Sequence, residues 1–206
     1  RFDKTELDAV VFWMGYTLEM NYFIETGRFA EAYQKISNIK AGIKTFSPNI
    51  AKQNRMMLQC IMAYVSFAMA KYHETLDHLA PVIQEQEKSL AAEVQLVARI
   101  MQLLSHFENG NKLLLESLVK SLQRSLRAKN EAAKVPMAIV SFINSSIRKP
   151  ALQKQDWQQL QSKLKRLSAN KPPQGISDLI DYKTWIKAHI KGVSFAEARR
   201  SVPSPH

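Results

Sequence analysis

One cysteine, Cys60, leaves the chain no intrachain disulfide and no need of an oxidising compartment. It lies in the apolar run Met56 to Met69, where a free thiol behaves as a small buried hydrophobe. Six glycines give little material for cofactor loops, and no Gly-x-Ser-x-Gly elbow, phosphate-cradling glycine loop or Cys-x-x-Cys pair occurs. No cofactor and no catalytic residues are expected. Long hydrophobic runs are missing too: the longest, near Ala9 to Leu18, falls well short of the roughly 20 residues of a membrane span. No charged-then-apolar signal segment opens the chain, so a cytoplasmic location is the expectation. The first residue is Arg1 rather than Met, which leaves open a piece cut from a longer protein.

What remains suits helix. With 46% hydrophobic and 23% charged residues the composition is that of a globular protein, and hairpin turn signals are few, so no β-sheet is expected. The stretch Ser89 to Asn130 sets the pattern. Val94, Leu96, Val97, Ile100, Met101, Leu103, Leu104 and Phe107 make its first arm apolar nearly all round, which requires neighbours on several sides. Leu115, Leu118, Leu122 and Leu126 stripe one face only of the second arm. Between them Gly110 stops the first helix and Asn111 caps the next. An interior helix folded back on an exterior one is the unit of an α-solenoid.

The same unit recurs. Asp3-Lys4-Thr5-Glu6 reads as a capping box that opens a helix to about Glu25, and Gly27-Arg28-Phe29 turns the chain. Ser47 as cap and Pro48 in the first turn start a second hairpin, with Pro81 kinking or ending its outer helix. Val135 to Ile147 and the stripe Trp157, Leu160, Leu164 and Leu167 form a fourth. The turns at Gly27, Ala70, Gly110 and Pro150 are 43, 40 and 40 residues apart, which is a repeat signal. The expected fold is all-α: a right-handed α-solenoid of four antiparallel hairpins at about 3–46, 47–88, 89–130 and 131–170. A closing helix at about 176–191, begun near Ser177, completes one domain over 1–192, and 193–206 are expected to be a loosely held tail.

Gly27-Arg28-Phe29-Ala30-Glu31-Ala32 resembles the turn and second-helix start of a tetratricopeptide repeat. Ala70-Lys71-Tyr72-His73-Glu74-Thr75 keeps the aromatic and the glutamate, and Gly110-Asn111-Lys112 loses the aromatic. The step near 40 exceeds that family's 34, as helices about a turn longer would require. His106-Phe107-Glu108-Asn109-Gly110-Asn111 and Asp181-Tyr182-Lys183-Thr184-Trp185-Ile186 are similar to the C-terminal region of tetratricopeptide-like proteins from Bacteroidetes. That resemblance implies a fold and no catalytic residue.

Charge is unevenly placed. Residues 1–26 carry 2 basic and 5 acidic side chains, 27–110 carry 9 and 7, and 111–206 carry 18 and 6, so the net charge of +11 resides in the C-terminal half. Lys120, Arg124, Arg127 and Lys129, with Lys163, Lys165 and Arg166, form either a solvated outer surface or a basic face for acidic proteins, anionic membrane or nucleic acid. Gln95, Arg99, Gln102 and His106 form a polar stripe on the apolar third inner helix. It either hydrogen-bonds a partner's peptide or satisfies groups in the seam between helices. His73 and His78 are five apart and so diverge round the helix, and His73 with Asp77 supplies too few ligands for a metal.

These features favour a non-enzymatic interaction scaffold that holds a peptide or helix of another protein. A nucleic-acid or polyanion binder and the regulatory end-piece of a larger enzyme are the alternatives. Phe12, Trp13, Tyr16 and Phe23 lie around several faces of the first helix. The expectation there is self-association through this end, or continuation into upstream repeats.

Overall fold

Three of the turns between helices are built alike. In the computed structural model, which describes residues 4–85, 88–127, 133–168 and 180–200, Gly27, Ala70 and Gly110 take left-handed backbone with φ of 71°, 56° and 70°. In each case the next N–H reaches five residues back: Arg28 to the Phe23 carbonyl at 2.8 Å, Lys71 to Ser66 at 2.8 Å and Asn111 to His106 at 3.0 Å. This pattern pairs carbonyls that the ending helix would leave orphaned, and it redirects the chain for a tight helical hairpin. Glycine adopts the conformation freely, whereas Ala70 holds it against the crowding of its own Cβ.

The turns join α1 (Lys4–Glu25) to α2 (Phe29–Phe46), α3 (Lys52–Ala68) to α4 (Tyr72–Ile83), and α5 (Lys88–Glu108) to α6 (Lys112–Arg127). Beyond them come α7 (Lys134–Ser146), α8 (Lys154–Ser168), α9 (Tyr182–Lys191) and α10 (Phe195–Arg200), and no strand occurs among the described residues. The turn around Pro150 is made differently. No residue there has positive φ, and Asp156 organises it by accepting from the Gln153 N–H at 2.8 Å and the Lys149 ammonium at 2.6 Å.

Every helix packs on the next, and α1, α3, α5 and α7 also pack on one another in that order. The helices in the middle of that row are therefore the most enclosed. Helix α3 buries Leu58, Ile61, Met62, Val65 and Phe67, and α5 buries Leu96, Val97, Ile100, Leu103 and Leu104. Each such side chain is worth about 1.5–3 kcal/mol of transfer from water. Helix α6 buries a single stripe, Leu115, Val119, Leu122 and Leu126. Leu122 is buried in the same core against which Phe107 and Leu118 pack.

Three local expectations are corrected. Ser47 and Pro48 do not cap α3; they form a 3-10 turn, Ser47–Asn49, and α3 starts at Lys52 after an extended residue that buries Ile50. The Arg55 guanidinium holds this detour through the carbonyls of Ser47 and Ile50. Helix α9 starts at Tyr182, because the Asp181 carboxylate accepts from the Thr184 N–H at 2.9 Å and from its hydroxyl at 2.6 Å. Asp3 and Ser177 lie outside the described residues. Finally, the expected tail carries helix α10 up to Arg200. Ser194 and Glu197 form a reciprocal cap: the Glu197 N–H donates to Ser194 Oγ at 3.2 Å and the Ser194 N–H donates to Glu197 Oε2 at 2.9 Å. Phe195 is buried edge-on against Phe29, Tyr64 and Phe67, so α10 closes over the start of α2 and the end of α3.

Candidate functional site

Apolar floor and basic rim meet at the far ends of α6, α7 and α8. A groove of 420 Å³ lies there, with Leu126, Met137 and Leu167 in its floor and Arg127, Lys134 and Lys163 among its lining residues. The local sequence explains the arrangement. Arg127 follows Leu126 at the end of α6, Lys134 begins α7, and Lys163 precedes Leu164 in the last turns of α8, so each helix sends an apolar residue inward beside a cation. The cations also sit well electrostatically, since Arg127 on α6 and Lys165 and Arg166 on α8 fall in last turns, where helix carbonyls favour positive charge. Such a surface takes an aliphatic side chain below and carboxylate or phosphate oxygens above.

Of the basic residues singled out by sequence, the groove brings together Arg127 and Lys163. Lys120, Arg124, Lys165 and Arg166 are exposed on the outer faces of α6 and α8, and Lys129 lies outside the described residues. Trp157 and Trp185 are 4% and 2% exposed, which leaves neither ring free for base stacking.

The polar stripe of α5 runs along its packing with α4. Gln95 donates its amide to the Glu85 carbonyl beyond the end of α4, and the His106 ring nitrogen Nδ1 lies 3.2 Å from the Asn111 amide in the turn. Arg99 and Gln102 between them are half-buried. Burial, and then the neighbouring charge of His73, hold the His106 pKa below its ordinary value. Both ends of the stripe thus serve the chain's own turns. His73 is exposed on α4 with Nε2 3.3 Å from the Asn109 amide, while His78 is buried, and no cluster of three metal-ligating side chains occurs among the described residues.

Sequence reasoning missed the best-connected carboxylate. Glu108, the last residue of α5, accepts from Trp185 Nε1 at 2.7 Å and is 2.8 Å from His189 Nε2, both on α9. The Tyr72 hydroxyl donates to it at 3.5 Å, and burial followed by the Glu108 charge pushes the Tyr72 pKa up. His189 in turn lies flat on Trp157, with ring centroids 3.8 Å apart and planes 5° from parallel. The available signal was a polar residue ending an apolar helix, with Trp and His four apart on α9. Among the described residues no helix is long and apolar enough to cross a membrane.

No protein-family model, curated protein or solved structure matches the chain.

Proposed function

We propose that the chain is a non-enzymatic interaction scaffold that seats an acidic amphipathic segment of another protein in the groove between α6, α7 and α8. The single observation that carries this reading is the apolar floor of Leu126, Met137 and Leu167 beneath Arg127 and Lys163. A helix or peptide with leucine-like side chains on one edge and glutamates on the other matches both layers. In this reading the architecture is a right-handed α-solenoid of tetratricopeptide-like hairpins with a step near 40. Its support is the three alike turns and the row α1, α3, α5, α7.

A labelled synthetic helix of alternating leucine and glutamate faces tests it by fluorescence anisotropy. Arg127→Glu with Lys163→Glu should reduce binding at least tenfold, and Met137→Asp should do the same without removing a charge from the rim. Heparin retention that falls steeply with salt and ignores Met137→Asp would favour a polyanion binder instead. Unchanged peptide binding in all variants would return the rim to ordinary solvated surface.

A further inference from the structure

Helix α1 leaves a continuous apolar stripe in water. Leu7, Val11, Met14, Leu18 and Tyr22 are between 46% and 68% exposed, whereas Ala9, Met20 and Phe23 on the other side are buried. Single exposed hydrophobes are common on protein surfaces, but five at helical spacing along one edge form a face rather than an accident of composition. Exposed Lys4 and Glu25 stand at its two ends. With 100° per residue, all of these and Gly15 fall within an arc of about 100°.

The order of residues along this arc reads the same way from either end. From Lys4 inward the steps to Leu7, Val11 and Met14 are three, four and three residues; from Glu25 inward the steps to Tyr22, Leu18 and Gly15 are three, four and three. Two copies of α1 laid antiparallel about a two-fold axis between Met14 and Gly15 therefore match completely. Leu7 meets Tyr22, Val11 meets Leu18, and Lys4 meets Glu25, each pair occurring twice. At the axis the Met14 side chain of each copy faces Gly15 of the other. A Cβ built on Gly15 would meet nothing within 4 Å, so the glycine is an open notch on the surface, and a flexible thioether suits it. Tyr22 is steadied for this role by Arg28, whose guanidinium lies over its ring at 5.6 Å while pairing with Glu31.

We infer that this face is a self-complementary dimer interface, in which α1 packs antiparallel on α1 of a second copy with Met14 seated on Gly15. The paired stripes would remove on the order of 1,000 Å² from water in total, near the lower limit of specific interfaces, so the dimer forms in the micromolar range. The end pairs make it antiparallel: a parallel arrangement sets Lys4 against Lys4 and Glu25 against Glu25.

Sedimentation equilibrium of the chain from low to high micromolar concentration should show its mass rising from one copy towards two. Leu18→Glu should hold it at one copy with an unchanged helical circular dichroism spectrum. Lys4→Glu should weaken association about 2- to 10-fold, and Lys4→Glu combined with Glu25→Lys should restore it. Orientation is read by disulfide trapping: Leu7→Cys mixed with Tyr22→Cys should cross-link, and Leu7→Cys alone should not. A wild-type chain of single mass throughout would overturn the inference and assign the stripe to a different polypeptide. Self-cross-linking of Leu7→Cys, or a dimer that survives Leu18→Glu, would overturn it as well.

Discussion

The indole N–H of Trp185 donates to the carboxylate of Glu108 at 2.7 Å across 77 residues of sequence. This bond fastens α9 to the end of α5, and through Phe107, Trp157 and His189 it sits in a nest of edge-on and stacked rings. Little water reaches the carboxylate, so its partners cannot exchange it cheaply for solvent.

Glu108→Ala should therefore destabilise the protein by about 2–3 kcal/mol, because it leaves an indole N–H and an imidazole without their shared acceptor. The loss should be felt first at the C-terminal helices. Limited proteolysis within residues 180–200 should accelerate more than cleavage elsewhere, and Trp fluorescence should shift to the red. Equal acceleration along the whole chain would mean that Glu108 is only one more core contact.

Ala70 offers the opposite sign. It alone among the described non-glycine residues has positive φ, in a turn whose two counterparts use glycine. Ala70→Gly should raise stability by about 0.5–1 kcal/mol, since relief of the left-handed crowding outweighs the added freedom of the unfolded chain. Gly110→Ala should lower it by a similar amount. Gly27→Ala should cost more, because the new methyl would also press on Arg200 Cγ at 3.4 Å. Urea unfolding curves of the three variants check the order.

The hairpin turns at Gly27 and Gly110 were legible because each glycine follows an apolar-periodic run. Ala70 was legible only from its distance to the other two. Helix α10 was hidden by composition: Ser, Pro and Arg surround it, although Ser194-Phe195-Ala196-Glu197 is itself a capping signature. On α1 the opposite difficulty arises, since apolar residues occupy nearly every side and periodicity cannot say which side faces in. Phe12, Trp13, Tyr16 and Phe23 were expected to be the open surface. The chain instead turns them toward α2 and α3, with Phe12 against Phe46, and leaves Leu7, Val11, Met14, Leu18 and Tyr22 outside. Arg127 and Lys163 were legible as cations but not as neighbours, because only packing of α6, α7 and α8 brings them to one groove.

That inward turn of Phe12 depends on Gly42 of α2. A Cβ at Gly42 would overlap the Phe12 ring, so the glycine is what lets the aromatic lie flat between α1 and α2. Gly42→Ala should destabilise by about 1–3 kcal/mol despite the better helix propensity of alanine. The double variant Gly42→Ala with Phe12→Leu should recover part of the loss. A stabilised Gly42→Ala would show that the ring moves aside without cost.

Two histidines set the response to acid. Burial, and then the positive charge of Lys40, hold the His78 pKa below its ordinary value against the weaker opposing pull of Glu74 and Asp77. Burial and His73 do the same for His106. In each case the folded state disfavours the imidazolium, while the unfolded chain takes up a proton near its ordinary pKa of about 6.5. Between these values the unfolded state binds more protons, so stability rises with pH: it is complete above about 6.5 and declines as pH falls towards the folded pKa. Urea midpoints should accordingly decrease from pH 7 to about pH 5, the window in which the ordinary histidine pKa lies. His78→Gln should flatten that slope, and adding His106→Asn should flatten it further, whatever either substitution does to stability at pH 7. A slope unchanged in the double variant would assign the acid sensitivity to other groups.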